Sequence, residues 1–500
     1  MKHLRLGLAA LITTAAAAAA CATVWLTVGA IVGPAAAGSP AVLATVVALS
    51  LARRTVSGRR EFARSAALLP VIGVAAAGVG WLLVTVPVVG ALLYIAGMSV
   101  PIWLRRFGPF AARLGALIAL PLTAVLIVPV VPAASGTPWW AAALLTAAAG
   151  AVAVLWVAVA REVLGLLRIG PGHDEPAATV AATATAARPE AGRTASSPSP
   201  TPSASSTSRR RLPASTRMAT QMAVALAAAF VVGWLVFPQH AMWVVLTAFI
   251  VNSGNRGRAD VLHKSALRVA GAIGGTVLAL GLAAAAPTAS GFAAVVVVFV
   301  ALFAGTWLRS YSYAFWALAV TVVLTILQQL VGASPPAGEA GLLLERVLAI
   351  VVGALLGIGA AWFVLPVRST DVLRRRLADL LIAVGAVLTA EPDDRQARAA
   401  SFRAALRRVE ELAPAHRARR LFGGTGVQPI DCIDAASALG PALDTRLTAA
   451  ERGRMSPEQR ERVRGALRLA RASLAAPVDL ERVRARLNAL VSALQGGPVA

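Results

Sequence analysis

Three arginines, Arg256, Arg258 and Arg268, gather just past an apolar run that closes at Asn252. Positive charge at the mouth of a narrow opening concentrates the field and attracts an anion such as a carboxylate. The same arginines also suffice to fix the orientation of a membrane helix, and at this point both readings stand. Within the run, Trp243 offers a ring face and Thr247 a hydroxyl. Asn252 and Asn255 offer amides that either cap the helix or line the opening. Trp307 offers a second ring, although Trp is also an ordinary interface residue. Gln328 sits near the end of a later apolar run, where its amide must find either a neighbouring helix or a ligand. His240 and Glu345 lie at the opposite boundary and are the groups that would couple movement of an anion to protons. No nucleophile–base constellation and no set of metal ligands is visible. The expectation is therefore a binding path and not an enzyme, with no cofactor and no metal. Gly423-Gly424-Thr425-Gly426 has neither the following Gly-Lys-Ser/Thr nor a preceding strand, so it reads as a turn.

The elements that would position these residues follow from composition. Of 500 residues, 58% are hydrophobic and 14% charged, and the net charge is +24. Mean hydropathy is +0.72. Soluble domains carry about 25% charged residues, so this chain reads as a polytopic helical membrane protein with no nucleic-acid partner. Two cysteines, Cys21 and Cys432, are too few for a disulfide scaffold. A membrane-crossing helix needs roughly 20 apolar residues. Candidate spans fall near 6–32, 36–52, 66–86, 88–104, 114–132 and 139–160, and again near 217–237, 239–252, 268–286, 291–308, 314–332 and 344–366.

With the amino terminus inside, the outside loops fall near 33–35, Pro87, 133–138, Pro238, 287–290 and 333–343, and none of them contains Lys or Arg. Arg346 is the one exception at an outer boundary, where it pairs or reaches to water. The spans themselves read as essentially free of charge. Inside loops carry Arg53, Arg54, Arg59, Arg60, Arg105, Arg106, Arg256, Arg258 and Lys264. This one-sidedness is the positive-inside pattern, and it places both chain ends in the cytoplasm of a multi-pass plasma-membrane protein. The amino-terminal run ending at Cys21 resembles a cleaved signal, but it continues apolar to Val32, too long for an ordinary signal core.

The two sets of spans resemble one another. Trp103-Leu104-Arg105 recurs as Trp307-Leu308-Arg309, Gly58-Arg59-Arg60-Glu61 as Gly257-Arg258-Ala259-Asp260, and Trp156 as Trp362. An even number of spans per half makes these parallel repeats. The expected domains are a first transmembrane repeat over 1–169, a linker over 170–216 rich in Ala, Ser, Thr and Pro, a second transmembrane repeat over 217–366, and a cytoplasmic helical domain over 367–500. In each half the second span is short, bounded by Pro40 and Arg53 and by Pro238 and Asn252. Short spans at matching places point to a binding site, or else Pro40 and Pro238 begin helices that extend past the bilayer. The tail holds 23 Lys+Arg and 15 Asp+Glu, and Phe402, Leu406, Val409 and Leu412 recur at helical spacing, as do Leu480, Val483, Leu487, Leu490 and Leu494. Four or five amphipathic helices are expected there, forming a bundle through which copies of the chain associate.

Gln239 through Ala248, the segment Arg268-Val269-Ala270-Gly271-Ala272-Ile273-Gly274-Gly275, and the closing run from Arg346 through Gly353, Gly357 and Trp362 to Pro366 resemble the fusaric acid resistance and aromatic acid exporter family. Ala272 stands where that family's glycine–threonine pair has its threonine. The resemblance is best over 217–366. It implies a membrane exporter of aromatic or other small organic acids with a cytoplasmic helical domain. Alternatives are an anion channel, as in the distantly similar plant malate channels, and a non-transporting scaffold that recruits partners through its tail. The layout is open to a direct check. Single cysteines introduced at Ser135 and Ala289 are expected to react with a membrane-impermeant thiol reagent added outside intact cells, and one at Ser57 to stay unmodified.

Overall fold

The computed structural model describes residues 2–52, 59–108, scattered positions between 111 and 126, 139–167, 213–254, 257–285, 291–330, 340–365, 369–420, 426–450, 456–475 and 478–496. The expected fifth span, the linker over 170–216 and the glycine turn at 423–426 lie wholly or largely outside those residues. Every regular element among the described residues is helical. In chain order they are α1 (Lys2–Ile31), α2 (Pro34–Ala52), α3 (Arg59–Thr85), α4 (Pro87–Leu104), α5 (Trp139–Leu166), α6 (Ala214–Val236), α7 (Ala241–Asn252), α8 (Arg258–Ala285), α9 (Gly291–Leu308), α10 (Tyr313–Leu330) and α11 (Ala340–Phe363). Then come α12 (Ser369–Leu388), α13 (Pro392–Glu410), α14 (Ala413–Arg420), α15 (Pro429–Ser437), α16 (Leu439–Ala450), α17 (Pro457–Ala472) and α18 (Leu480–Gln495).

The described helices fall into two compact units. The first takes α1–α7, α8 from Lys264 onward, and α9–α11; the second takes α8 through His263 and α12–α18. Among the described residues of the first unit, 7 helices are long and apolar enough to cross a membrane, and Ala36–Ala52, Pro70–Thr85, Ala241–Asn252 and Tyr313–Leu327 are shorter apolar helices. Large apolar side chains such as Leu92, Leu155, Leu235, Val277 and Phe292 stand exposed along them. Water penalises such surface, and a hydrocarbon surrounding does not.

In the first unit α1 packs on α2 and α5, α2 on α5, and α3 on α4 and α5. Likewise α6 packs on α7 and α11, and α7 on α11. The two sets meet where α4 lies against α6 and α1 against α9. Small residues set the closeness of these seams. At Gly275 of α8 a Cβ would stand 2.7 Å from the Leu318 carbonyl oxygen of α10; at Gly353 of α11 it would stand 2.5 Å from the Val244 carbonyl oxygen of α7. Past α11 the chain turns through Leu365, which takes a left-handed φ of 44°. That turn is held from α6, where Gln221 Nε2 donates to the Val364 carbonyl at 2.9 Å and Arg217 Nε to the Leu365 carbonyl at 3.1 Å.

The second unit is a helical bundle with its own core. Leu373, Leu377, Leu381 and Val384 of α12 are buried with Phe402, Val409 and Leu412, and with Val483, Leu487, Leu490 and Leu494 of α18. The spacing read from the tail therefore marks the buried faces, with Leu480 half-buried at the edge. Seven helices stand here among the described residues where four or five were expected. The short α14 and the break between α15 and α16 at Ala438 are too brief for periodicity to separate. Proline opens α13, α15 and α17 at the first helical position, where its missing N–H costs nothing. Burial and then Asp431 push the Cys432 thiol up to about 11, so it behaves as a small apolar core residue.

The glycine seams yield a stability prediction. Gly275→Ala and Gly353→Ala force a Cβ onto neighbouring backbone and are expected to cost about 1–3 kcal/mol each. Gly281, with open space around it, is expected to accept alanine without loss. Thermal unfolding of the three purified variants in detergent checks this.

Candidate functional site

α7 is a helix of 12 residues, and its brevity follows from its ends. Pro238 and the turn through His240 precede it, and at its other end the carbonyls of Ser253 and Gly254 accept hydrogen bonds from Lys264 Nζ at 3.2 and 3.3 Å. Lys264 lies on α8, so a side-chain ammonium holds the carbonyl end of α7 and favours it electrostatically. Almost the whole helix is buried, including Trp243, Thr247 and Asn252. Asn252 Nδ2 donates to the Ala248 carbonyl at 3.0 Å. Its Oδ1, and the Thr247 hydroxyl, are buried without a hydrogen bond to any described residue.

Among the described residues, two arginines are buried inside this helical unit. Arg268 of α8 is 1% exposed and Arg346 of α11 is 2% exposed. Arg346 is firmly positioned. Its guanidinium carbon stands 3.7 Å from the centre of the Trp243 ring, Nη1 donates to Thr325 Oγ1 at 2.7 Å, and Nη2 donates to the Thr321 carbonyl at 3.2 Å. Thr325 Oγ1 in turn donates to the Thr321 carbonyl at 2.8 Å. Arg268 differs. Its Nε and Nη2 are buried and make no hydrogen bond to a described residue. The guanidinium lies within reach of the charge of Arg346 and of the Tyr313 phenol. At the end where Arg346 enters, His240 Nδ1 stands 3.4 Å from Glu345 Oε1, an ion-pair separation longer than a well-formed hydrogen bond.

These positions correct two expectations. The spans are not free of charge: Arg346 is buried against Trp243 and α10 instead of reaching to water, and Arg268 is enclosed and not at an open mouth. Enclosing an arginine among apolar spans is costly, which makes such a group functional by default. The face of Trp243 expected to meet a ligand's ring is covered by the Arg346 guanidinium, so Trp243 positions Arg346. The structure brings Trp243, Thr247, Asn252 and Arg268 into one helical half, and places His240 beside Glu345. Trp307 is not brought into that stack; it packs on Phe303 and beside Gly7 of α1. Arg258 belongs to the second unit. Gln328 lies on α10 with its side chain outside the described residues, as Asn255 and Arg256 are entirely.

Sequence reasoning passed over the inward burial of Arg346, and Thr321 and Thr325 altogether. An arginine inside an apolar run, facing two threonines four apart on another run, was the available signal.

The fold and the buried cations define a polytopic, all-helical membrane protein with charge enclosed among its spans. Residues 224–360 match the family model described as fusaric acid resistance protein-like. The resemblance read from the sequence is borne out over that stretch, which runs from α6 into α11 and contains Trp243, Arg268 and Arg346. No curated protein matches the chain.

The hold on Arg346 is measurable. Thr325→Val keeps the side-chain shape but removes the acceptor of a charged hydrogen bond, an expected loss of about 1.5–3 kcal/mol. Thr85→Val, at an exposed hydroxyl bonded only within its own helix, is expected to be neutral. Thermal unfolding of both variants reads the difference.

Proposed function

We propose that the chain is an inner-membrane transporter that exports small organic acids. The single observation that carries this reading is Arg268, a guanidinium enclosed among apolar helices with two nitrogens bonded to no described residue. A buried cation of this kind is stabilised by an anion that brings acceptor oxygens to it, and a carboxylate matches the guanidinium fork. Arg346 sits close by, with its own guanidinium engaged by Trp243, Thr325 and Thr321. Preference for aromatic acids rests on the family resemblance, since Trp243 is engaged with Arg346. His240 and Glu345 flank the Arg346 end and are the groups proposed to couple flux to protons.

The repeat reading draws support from the packing. α1, α2 and α5 form one mutual set and α6, α7 and α11 another, and the reciprocal contacts α4 on α6 and α1 on α9 are what two parallel copies related by an axis along the membrane normal would make. The Trp-Leu-Arg motif also closes both α4 and α9. On this reading both ends face the cytoplasm, and the helical unit of α12–α18 joins protomers.

The test is flux in vesicles containing the purified full chain. Benzoate and related organic acids are expected to cross faster than in protein-free vesicles. Arg268→Gln is expected to lower that flux at least about tenfold, the scale of one lost charged hydrogen bond, with Arg268→Lys retaining an intermediate rate. Wild-type flux no greater than in empty vesicles across a broad acid panel would rule the reading out.

A further inference from the structure

The buried face of α8 is polar at helical intervals. Ser265, Arg268 and Thr276 are buried, and so is Ala272. Steps of three and four residues return to the same side of a helix, so these four positions share one face. Ser265 Oγ, Arg268 Nε and Nη2, and Thr276 Oγ1 bond to no described residue. Helical serine and threonine hydroxyls commonly bond back to the carbonyl of the preceding turn, as Thr321 and Thr325 do on α10. Buried polar groups are hydrogen-bonded in the large majority of cases. Three unbonded polar side chains on one face of one helix are therefore a pattern that calls for a ligand-facing explanation. Gly271 and Gly275, on the adjoining flank, hold α8 tight against α10. Ile273, Val277 and Leu280, on the far side, are apolar and exposed. From Ser265 to Thr276 the rise is about 16 Å, roughly half the thickness of the hydrocarbon core.

We propose that this face of α8 lines the path along which a small organic carboxylate crosses, within the second half of the chain, with the Ser265 and Thr276 hydroxyls receiving it on either side of Arg268. The inference rests on the anion-transport reading above and says where the anion goes. A carboxylate only accepts hydrogen bonds, so its hydration must be replaced by donors along the way, and two hydroxyls and a guanidinium are donors. Conduction needs attraction strong enough for entry and sites weak enough for release. One full charge flanked by neutral hydroxyls has that form. Arg346 contributes by repulsion: its charge acts on Arg268, and an anion between them relieves it.

Cysteine accessibility tests the path. Ser265→Cys, Ala272→Cys and Thr276→Cys, with Ile273→Cys and Val277→Cys on the other face, are made singly in the full chain carrying Cys21→Ala and Cys432→Ala, and reconstituted in vesicles. The probe is a small anionic methanethiosulfonate reagent. The first three are expected to react, to lose at least about tenfold in benzoate flux on reaction, and to be protected by benzoate; the last two are expected to stay unmodified. If the parent carries benzoate but residues 265, 272 and 276 stay unreactive, the path is overturned while transport stands. If those three react in a parent that moves no organic acid, the polar path is supported and the transport reading fails. Ser265→Ala and Thr276→Val, which barely change volume, supply an independent reading. Lower flux with unaltered elution on gel filtration supports the path, and wild-type flux in both variants overturns it.

Discussion

A guanidinium keeps its proton even in apolar surroundings, so whatever encloses Arg268 and Arg346 must stand in for water. For Arg346 the substitutes are visible: the Trp243 ring, the Thr325 hydroxyl and the Thr321 carbonyl, drawn from two other helices. That three-helix arrangement fixes the mutual placement of α7, α10 and α11 more strictly than apolar packing alone, because dispersion contacts have no direction and hydrogen bonds do. Arg268 is the complement, a buried charge whose Nε and Nη2 no described residue bonds. One cation is anchored and its neighbour is available, and the functional reading of the membrane unit depends on this inequality.

The surrounding architecture serves that inequality. Lys264 holds the carbonyls of Ser253 and Gly254 just past the end of α7, and α7 carries Trp243 and Thr247 beside α11. Gly353 lets α7 and α11 approach until backbone nearly meets side chain, and Gly275 does the same for α8 and α10. Tight seams on both sides leave little freedom for the arginines except along the helix faces that carry them. Among the described residues of the first half no arginine is buried in this way. Its core of α1, α2 and α5 is built from Ala17, Ala44, Val47, Ala153 and Val157, with small apolar residues at the points of closest contact.

The helices were legible because apolar runs, prolines and the tail's three-and-four spacing each report a local physical requirement. Trp243, Thr247, Asn252 and Arg268 were picked out as candidates and do lie in one helical half. The roles of Trp243 and Arg346 were not legible. An arginine near the end of an apolar run looks like one that reaches to water, and only tertiary packing reveals that Arg346 turns inward onto a ring. Ser265 and Thr276 were hidden for another reason. In so alanine-rich a chain, single hydroxyls four or more residues apart carry little signal until burial shows that they share a face with Arg268. Trp307 was misleading because its likeness to Trp243 is one of residue type, and its surroundings, Phe303 and α1, are different.

Gln221 and Arg217, near the start of α6, hold the carbonyls of Val364 and Leu365 just past α11. The first and last helices of that half are thus fastened together at one end, although nearly the whole half separates them along the chain. During synthesis Gln221 is made well before its acceptors, the carbonyls of Val364 and Leu365. The half can be completed only when its final residues leave the ribosome, so a chain stopped anywhere before Val364 lacks the acceptors that close this seam.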